Sequence, residues 1–206
     1  MRPAASGRWA SAKIQSPKSK LRIQDVRKAR SSADESFHRE YIKITKSYTL
    51  AAAKALEQNA TPDRPFNFVL VSGDGSTFTP GALTPLFGRV KGETELALAA
   101  MRKANPQFRA STVRPSFVDA ASHEAIKPYI PEPPFSQRAA VGVLGPVIRG
   151  FGKSRWSPTE PLGKFLVGMA QATWEAQGKL EGKGLEKVGD FPVVENTAIR
   201  RVMGLA

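Results

Sequence analysis

The run Phe66–Ser72 (FNFVLVS) decides the fold of this 206-residue chain. Apart from Asn67 it is apolar at every position up to the serine, with no alternation of apolar and polar side chains. Such a strand is typically buried on both faces, as in a parallel sheet covered by helices. A second strand is predicted over residues 108–113, stopped by Arg114-Pro115, and helical patterns separate the two. The sequence therefore predicts the α/β class, with a mainly parallel sheet and flanking helices.

The other elements follow from apolar periodicity and from helix-breaking residues. A helix is predicted from about residue 36 to Asn59, with its apolar stripe at positions 41, 44, 48, 51, 52, 55 and 56. A second helix is predicted to have Thr84 as its cap and Pro85 as its first residue, and Asn105-Pro106 closes it. Later helices are predicted at 136–150, 157–177 and 196–203, with a last strand at 191–194.

The composition excludes several classes of site. The chain has no cysteine, so disulfides, thiolate nucleophiles and zinc ribbons are excluded. Its two histidines, His38 and His123, lie far apart in sequence, and no metal site is predicted. No apolar run approaches the roughly 18 residues that a membrane helix needs, so no membrane span is predicted.

The net charge of +13 is concentrated at the N-terminus. Nine basic residues and one acidic residue fall within the first thirty, so this segment carries +8 of the total. We expect residues 1–35 to form a basic, disordered tail and residues 36–206 to form the folded domain. The tail composition fits a mitochondrial transit peptide, a tether for nucleic acid or an anionic surface, or an artefact of the gene model.

A lysine follows an aromatic residue by four positions on the second predicted helix. The segment Phe87-Gly88-Arg89-Val90-Lys91 places its first and last side chains on one helix face. Ser72 precedes it at the end of one strand, and Arg114-Pro115 follows at the end of the next. This order resembles the second half of a short-chain dehydrogenase/reductase (SDR).

The resemblance extends over roughly residues 38–205. It is closest to a fungal group of atypical SDR proteins of the nucleoside-diphosphate-sugar epimerase type. The segments that carry it are Glu40-Tyr41-Ile42, Val71-Ser72-Gly73, residues 86–93, Val113-Arg114-Pro115 and Ser157-Pro158-Thr159.

The resemblance implies roles for the residues at these positions. In the family a tyrosine phenol moves a proton, a lysine four residues later lowers the phenol pKa and binds the nicotinamide ribose, and a serine orients the substrate oxygen. Ser72 and Lys91 take the serine and lysine places as catalytic residues, while Phe87 stands at the tyrosine place. The residues expected to face NAD or NADP are Lys91, Arg114, Pro115 and Ser116. Since a phenyl ring exchanges no proton, and general acid–base catalysis contributes about 10²–10⁴-fold, we expect impaired catalysis.

The glycine-rich turn that holds a pyrophosphate in such folds is missing from the sequence. Gly73-Asp74-Gly75 follows a strand, but Thr79-Pro80-Gly81 separates it from the next helix. We therefore expect a partial Rossmann-like domain, incomplete at its N-terminus, in which NAD(P) binding is weak or lost.

These observations favour an SDR- or epimerase-like NAD(P)-fold protein with impaired catalysis. Two alternatives stay open: an active NAD(P)-dependent oxidoreductase or epimerase on an unknown small molecule, and a nucleic-acid or anionic-surface binder acting through its basic tail, which is less favoured. Candidate partners are a small-molecule substrate, a second copy of the chain, or the missing N-terminal half. The family resemblance implies a cytoplasmic protein, and the tail leaves mitochondrial import open.

Overall fold

A computed structural model describes residues 34–132 and 152–205, together with Gly142 and Gly150. The chain divides into two units, Met1–Phe37 and His38–Ala206. In the first unit the described residues, 34–37, are helical. Of the predicted tail, residues 1–35, all but the helical residues 34 and 35 lie outside the described residues, and so does nearly all of the helix predicted at 136–150.

The second unit contains alternating helices and strands. Residues 38–42 are α-helical and continue into a π-helical stretch, Lys43–Tyr48. The helices that follow are α1 (Thr49–Glu57), α2 (Leu86–Ala104), α3 (Thr159–Ala170), α4 (Thr173–Ala176) and α5 (Asn196–Val202). The strands are β1 (Phe66–Val71), β2 (Phe108–Arg114), β3 (Phe117–Asp119), β4 (Trp156–Pro158), β5 (Leu185–Val188) and β6 (Phe191–Glu195). Two 3₁₀ turns cover Glu124–Tyr129 and Lys153–Arg155.

The main sheet has the strand order β1-β2-β6-β5. β1 pairs with β2 and β2 with β6 in parallel, whereas β5 pairs with β6 as an antiparallel hairpin. β3 and β4 form a separate two-stranded parallel sheet. The α/β class with a mainly parallel sheet is thus confirmed.

Helices cover both faces of the main sheet. One core holds α1 and α2 against β1, β2 and β6, with Phe108 fully buried and stacked on Phe66. The other core packs α3 and α5 against the opposite face around Val113, Phe165 and Val194. Successive side chains of a strand point to opposite faces of the sheet and therefore pack in different cores. Val193 belongs to the first core and Val194 to the second.

The apolar stripe predicted for the first helix was wrong. Ile44 and Tyr48 are more than half exposed, and Ala53, outside the stripe, is fully buried. The cause is the π-helical stretch Lys43–Tyr48, whose wider turns advance the buried face by more than the 3.6 residues assumed.

Two predicted helix boundaries were also wrong. The cap of α2 is Pro85, and Thr84 Oγ1 instead accepts a hydrogen bond from the Gly81 amide at 2.8 Å. The single helix predicted at 157–177 is broken, because Ala172 adopts a left-handed φ of 55°. This break folds Trp174 back, so that its Nε1 donates to the Phe165 carbonyl oxygen at 2.8 Å.

Three short strands were not predicted. β3 and β4 have three residues each, and β5 lies in a segment interpreted as loop because of its glycines. In the parts of the chain that the structure describes, no helix combines the length and the apolar character needed to cross a membrane.

Candidate functional site

The predicted site residues lie at one edge of the main sheet. The parallel strands β1, β2 and β6 end at Val71, Arg114 and Glu195, so the residues that follow them converge at the carboxyl edge. In open α/β sheets this is the edge at which ligands bind.

Lys91 reaches from α2 to the end of β1. Its Nζ donates a hydrogen bond to the backbone carbonyl oxygen of Ser72 at 3.0 Å. Burial lowers the pKa of Lys91, and the negative charge of Glu95 offsets part of this effect. An ammonium carries three donors, and within the described residues only this one is used. Two donors of this half-buried cation therefore have no partner among the described residues at the carboxyl edge.

Ser72 is buried and held by a second serine. Its hydroxyl lies 3.0 Å from the Ser76 hydroxyl, which in turn donates to the Gly73 carbonyl oxygen at 2.8 Å. The Ser72 amide donates to the Val113 carbonyl oxygen at 2.8 Å and extends the pairing of β1 with β2. The fold thus brings Ser72 and Lys91 together, and the lysine contacts the serine backbone and not its hydroxyl.

Phe87 lies one helical turn before Lys91 and is 43% exposed. A Cβ atom placed on Gly75 would lie 3.4 Å from its ring, so the ring borders the loop that follows Ser72. Its Cζ atom, which would carry the hydroxyl of a tyrosine, lies 3.6 Å from the same Cβ position. The described structure therefore places a phenyl ring, which carries no ionisable group, at the position predicted for the tyrosine.

Two glycines of α2 hold the loop 72–81 against the helix. A Cβ on Gly92 would lie 1.9 Å from the Thr77 carbonyl oxygen, and one on Gly88 would lie 2.5 Å from the Gly75 carbonyl oxygen. The Thr77 amide also donates to the Gly88 carbonyl oxygen at 3.2 Å. The loop thus packs backbone to backbone on the face of α2 that carries Lys91.

Arg114 is occupied by two carboxylates. Its Nε donates to Glu95 at 3.1 Å, its Nη2 also bonds Glu95, and its Nη1 donates to Glu195 at 2.9 Å. Glu95 is fully buried on α2, one turn after Lys91, and it also accepts a bond from the Thr112 hydroxyl at 3.2 Å. The Arg114 side chain therefore holds α2, β2 and β6 together beneath the site.

The pKa values of this network follow from burial and pairing. Burial alone would lower the pKa of Arg114, but its bonds to Glu95 and Glu195 outweigh burial and raise it. Burial raises the pKa of Glu195, and Arg114 opposes this only in part. The negative charges of Glu186 and Asp74 add to the effect of burial on Glu195.

Pro115 and Ser116 begin a chain of polar contacts along the edge. The Pro115 carbonyl oxygen accepts from the Asp74 amide at 2.9 Å, and the Ser116 hydroxyl donates to the Asp74 carboxylate at 2.6 Å. The Ser116 amide donates to the Ser157 hydroxyl at 3.0 Å, and this hydroxyl donates to Asn196 Oδ1 at 2.6 Å. The segments after β1 and β2, the strand β4 and the start of α5 are thereby linked.

The Lys91 donors that have no partner among the described residues suit hydroxyl or anionic oxygens of a ligand. The Gly73-Asp74-Gly75 turn serves local packing, since a Cβ on Gly73 would lie 2.9 Å from Lys91 Nζ and Gly75 has a φ of 86°. In the described residues no glycine-rich turn leads directly into a helix at this edge.

An open hollow of about 730 Å³ borders the site and is lined by the loop between Gly75 and Pro85. A more enclosed hollow of about 370 Å³ lies elsewhere, between the end of α2 and the β5–β6 turn, with Arg102 and Asp190 in its wall. The second hollow lies far along α2 from Lys91. Of these two hollows, the more enclosed one is therefore not lined by the predicted site residues Ser72 and Lys91.

Glu95 and Glu195 were missed by the sequence analysis. Glu95 stands four residues after Lys91 and eight after Phe87, on the same face of α2, which is the available signal for it. Glu195 ends β6 beside Arg114 in the parallel register, and this pairing is visible only once the sheet order is known.

The chain resembles a curated fungal protein over most of its length. It is 52% identical over 158 residues to botcinic acid biosynthesis cluster B protein 16 of Botryotinia fuckeliana strain B05.10. The alignment covers 76% of this chain and 99% of that protein. No protein-family model and no solved structure matches the chain. The chain belongs to the same family as botcinic acid biosynthesis cluster B protein 16.

Proposed function

We propose that the chain is an SDR- or epimerase-like protein of the NAD(P)-binding type, in which the carboxyl edge still binds a small molecule but proton transfer is impaired. The observation that carries this proposal is the half-buried Lys91, bonded once to the end of β1 and one helical turn from a phenylalanine. A cation with free donors at this edge favours a ligand that offers hydroxyl or anionic oxygens. Phe87 supplies neither an acid nor a base.

The name of the related protein supports a metabolic role. That protein is named for a botcinic acid biosynthesis cluster. We extend to this chain a role in a biosynthetic pathway, with a small molecule as the bound species.

The first test measures nucleotide binding. We expect NADH or NADPH to bind weakly, with a dissociation constant in the millimolar range, in titrations followed by nuclear magnetic resonance. Lys91→Met should raise this constant at least about tenfold, because a hydrogen bond to a charged group contributes about 1.5–3 kcal/mol. Lys103→Met, an exposed lysine farther along the same helix, is the matched control and should have no effect. Equal binding by Lys91→Met and the wild-type chain, or no binding at all, would contradict a nucleotide site at Lys91.

The second test asks whether residue 87 feels the charge of Lys91. In Phe87→Tyr the new phenol should have a lower pKa than an exposed tyrosine, since a cation one helical turn away favours the phenolate. Leu83→Tyr, at a position 97% exposed, supplies that reference. Both are measured by ultraviolet absorbance during alkaline titration, after subtraction of the three native tyrosines. Identical pKa values in the two variants would show that positions 87 and 91 do not form a catalytic pair.

An active oxidoreductase is the second candidate, favoured only by the Ser72–Ser76 hydroxyl pair beside Lys91. It predicts nucleotide-dependent turnover by the wild-type chain that Lys91→Met abolishes. If catalysis is impaired, the wild-type chain should show no such turnover, and only Phe87→Tyr should gain it.

A further inference from the structure

β1 is an edge strand of the main sheet. In the described part of the chain only β2 pairs with it, so its other side has no strand neighbour. Its side chains are all partly exposed, and Val71 is 49% exposed, whereas almost every residue of β2 is buried. A six-residue apolar strand with one open side is a template for pairing with another strand.

The hydrogen bonds to β2 identify the backbone groups that face the open side. The Phe66 amide donates to the Gln107 carbonyl oxygen at 2.9 Å, and the Ser72 amide donates to that of Val113 at 2.8 Å. Because backbone groups alternate along a strand, even-numbered positions point to β2. Asn67, Val69 and Val71 therefore present their N–H and C=O groups to the open edge.

We propose that two copies of this chain pair antiparallel through β1, about a two-fold axis at Val69. Antiparallel pairing of two identical edges joins positions whose backbone groups face each other, so Asn67 would lie opposite Val71 of the other copy, and Val69 opposite Val69. This register uses all three open positions. Pro65, which has no amide hydrogen, ends the ladder. The two four-stranded sheets then form one sheet of eight strands.

Charge selects a second copy as the occupant. β1 itself has no charged residue, so two copies meet there without repulsion despite a net charge of +13 on each chain. Just beyond the two ends of this ladder, the same register brings Arg64 of each copy near Asp74 of the other, and both residues are exposed. A shift by two residues in either direction loses both this pairing and one of the three ladder positions.

A cysteine cross-link tests the register directly. The chain contains no cysteine, so a single substitution gives an unambiguous readout. Residues directly opposite in an antiparallel ladder have Cα atoms about 5.5 Å apart, within the range of a disulfide. Val69→Cys should therefore form a covalent dimer under mild oxidation, seen on a non-reducing gel. Val71→Cys is the matched control, because the two introduced thiols would then be attached to positions about 13 Å apart along the strands.

The outcomes separate the alternatives. Cross-linking of Val69→Cys well ahead of Val71→Cys supports the proposal. Faster cross-linking of Val71→Cys, whose side chain is the more exposed, would show that exposure alone decides and would overturn it. Absence of cross-linking in both, in chains whose circular dichroism is unchanged, would also overturn it.

Charge reversal provides a second test that leaves the core untouched. Sedimentation equilibrium should give twice the 22.3 kDa chain mass for the full chain at micromolar concentration. Arg64→Asp and Asp74→Arg should each raise the dimer dissociation constant about tenfold, since each change affects two exposed ion pairs. The double variant should restore the wild-type constant.

Asp74 also accepts a bond from Ser116, and Ser116→Ala removes that bond alone. This variant should dimerise like the wild-type chain. A monomer at every concentration tested, or a double variant no better than the single ones, would overturn the proposed pairing.

Discussion

Glu95→Ala is expected to be among the most destabilising single changes in the charged network beneath the site. The Glu95 side chain is fully buried and accepts bonds from two nitrogens of Arg114 and from the Thr112 hydroxyl. Its loss leaves a guanidinium whose side chain is 7% exposed with a single remaining carboxylate, Glu195. Breaking a buried ion pair in this way costs about 3–5 kcal/mol, because a charge stays buried without its partner.

Glu93→Ala on the same helix is the matched control. Glu93 pairs with Lys46 at 2.8 Å, but its side chain is 46% exposed, so its loss should cost at most about 1 kcal/mol. The gain in helix propensity on changing glutamate to alanine is the same at both positions and cancels in the comparison. Urea unfolding followed by far-ultraviolet circular dichroism measures both, and an m-value of about 2 kcal/mol/M would place their midpoints roughly 1–2.5 M apart.

A second substitution tests the cause of this cost. If the uncompensated guanidinium of Arg114 is responsible, adding Arg114→Met to Glu95→Leu should recover at least half of the stability that Glu95→Leu alone loses. The reason is that replacing both members of a buried ion pair by apolar residues is often neutral. Glu195 remains 27% exposed and can reach water. Midpoints for Glu95→Ala and Glu93→Ala that agree within error would refute the reasoning.

Two further changes concern the site loop and the pH dependence of stability. Gly92→Ala should destabilise the chain by about 1–3 kcal/mol, because its Cβ would overlap the Thr77 carbonyl oxygen at 1.9 Å. Gly163→Ala, at an exposed helical position with open space, should instead stabilise it by roughly 0.5–1 kcal/mol. Burial raises the folded-state pKa of Glu195 above its ordinary value of 4.5, so its contribution to stability is present below that pH and is lost as the pH rises through the folded value. Glu195→Gln should therefore show a smaller fall in melting temperature between about pH 4 and pH 7 than the wild-type chain.

Each of these predictions has a contrary result. Equal urea midpoints for the two glycine variants would mean that the loop moves away from α2 at little cost. Melting temperatures that fall with pH in parallel for Glu195→Gln and the wild-type chain would mean that Glu195 is not the group responsible.

Strands of the main sheet could be predicted where the local sequence is almost entirely apolar or where a clear boundary residue follows. β1 was predicted at its observed bounds, because six positions of near-continuous apolar sequence have few alternatives. β6 and α5 were predicted within one residue, since Asn196 begins the helix directly after the strand. The short strands β3 and β4 were not predicted, because three residues are too few to carry a period.

Tertiary contacts overrode local patterns elsewhere. The helical pattern across 157–177 continues through Ala172, but Trp174 packs onto Gly168 and Phe165, and this requires the chain to turn back. The stripe of the first helix failed because a π-helical stretch changes the period and leaves no distinct sequence signal.

The site was predictable in position and less so in its contacts. The sequence predicted Ser72 and Arg114 at the ends of two strands and Lys91 on the helix between them, and the structure has them in these places. The partners of Arg114 were not predictable, because they come from two elements far apart in sequence. Its role in a nucleotide site stays a prediction, and its three bonding nitrogens already serve Glu95 and Glu195.

One helix carries both the predicted chemistry and much of the structural support beneath it. Phe87, Lys91 and Glu95 follow one another by a helical turn on α2, and Gly92 holds the site loop against the same face. The bond from Lys91 to the end of β1 gives this lysine a structural reason to be present, whether or not a reaction takes place. Phe87 carries no proton donor, and its 43% exposed side chain takes part in neither the bond from Lys91 nor the ion pair of Glu95. The presence of Lys91 is therefore explained by its structural role alone. Catalysis is tested only by substitutions at position 87.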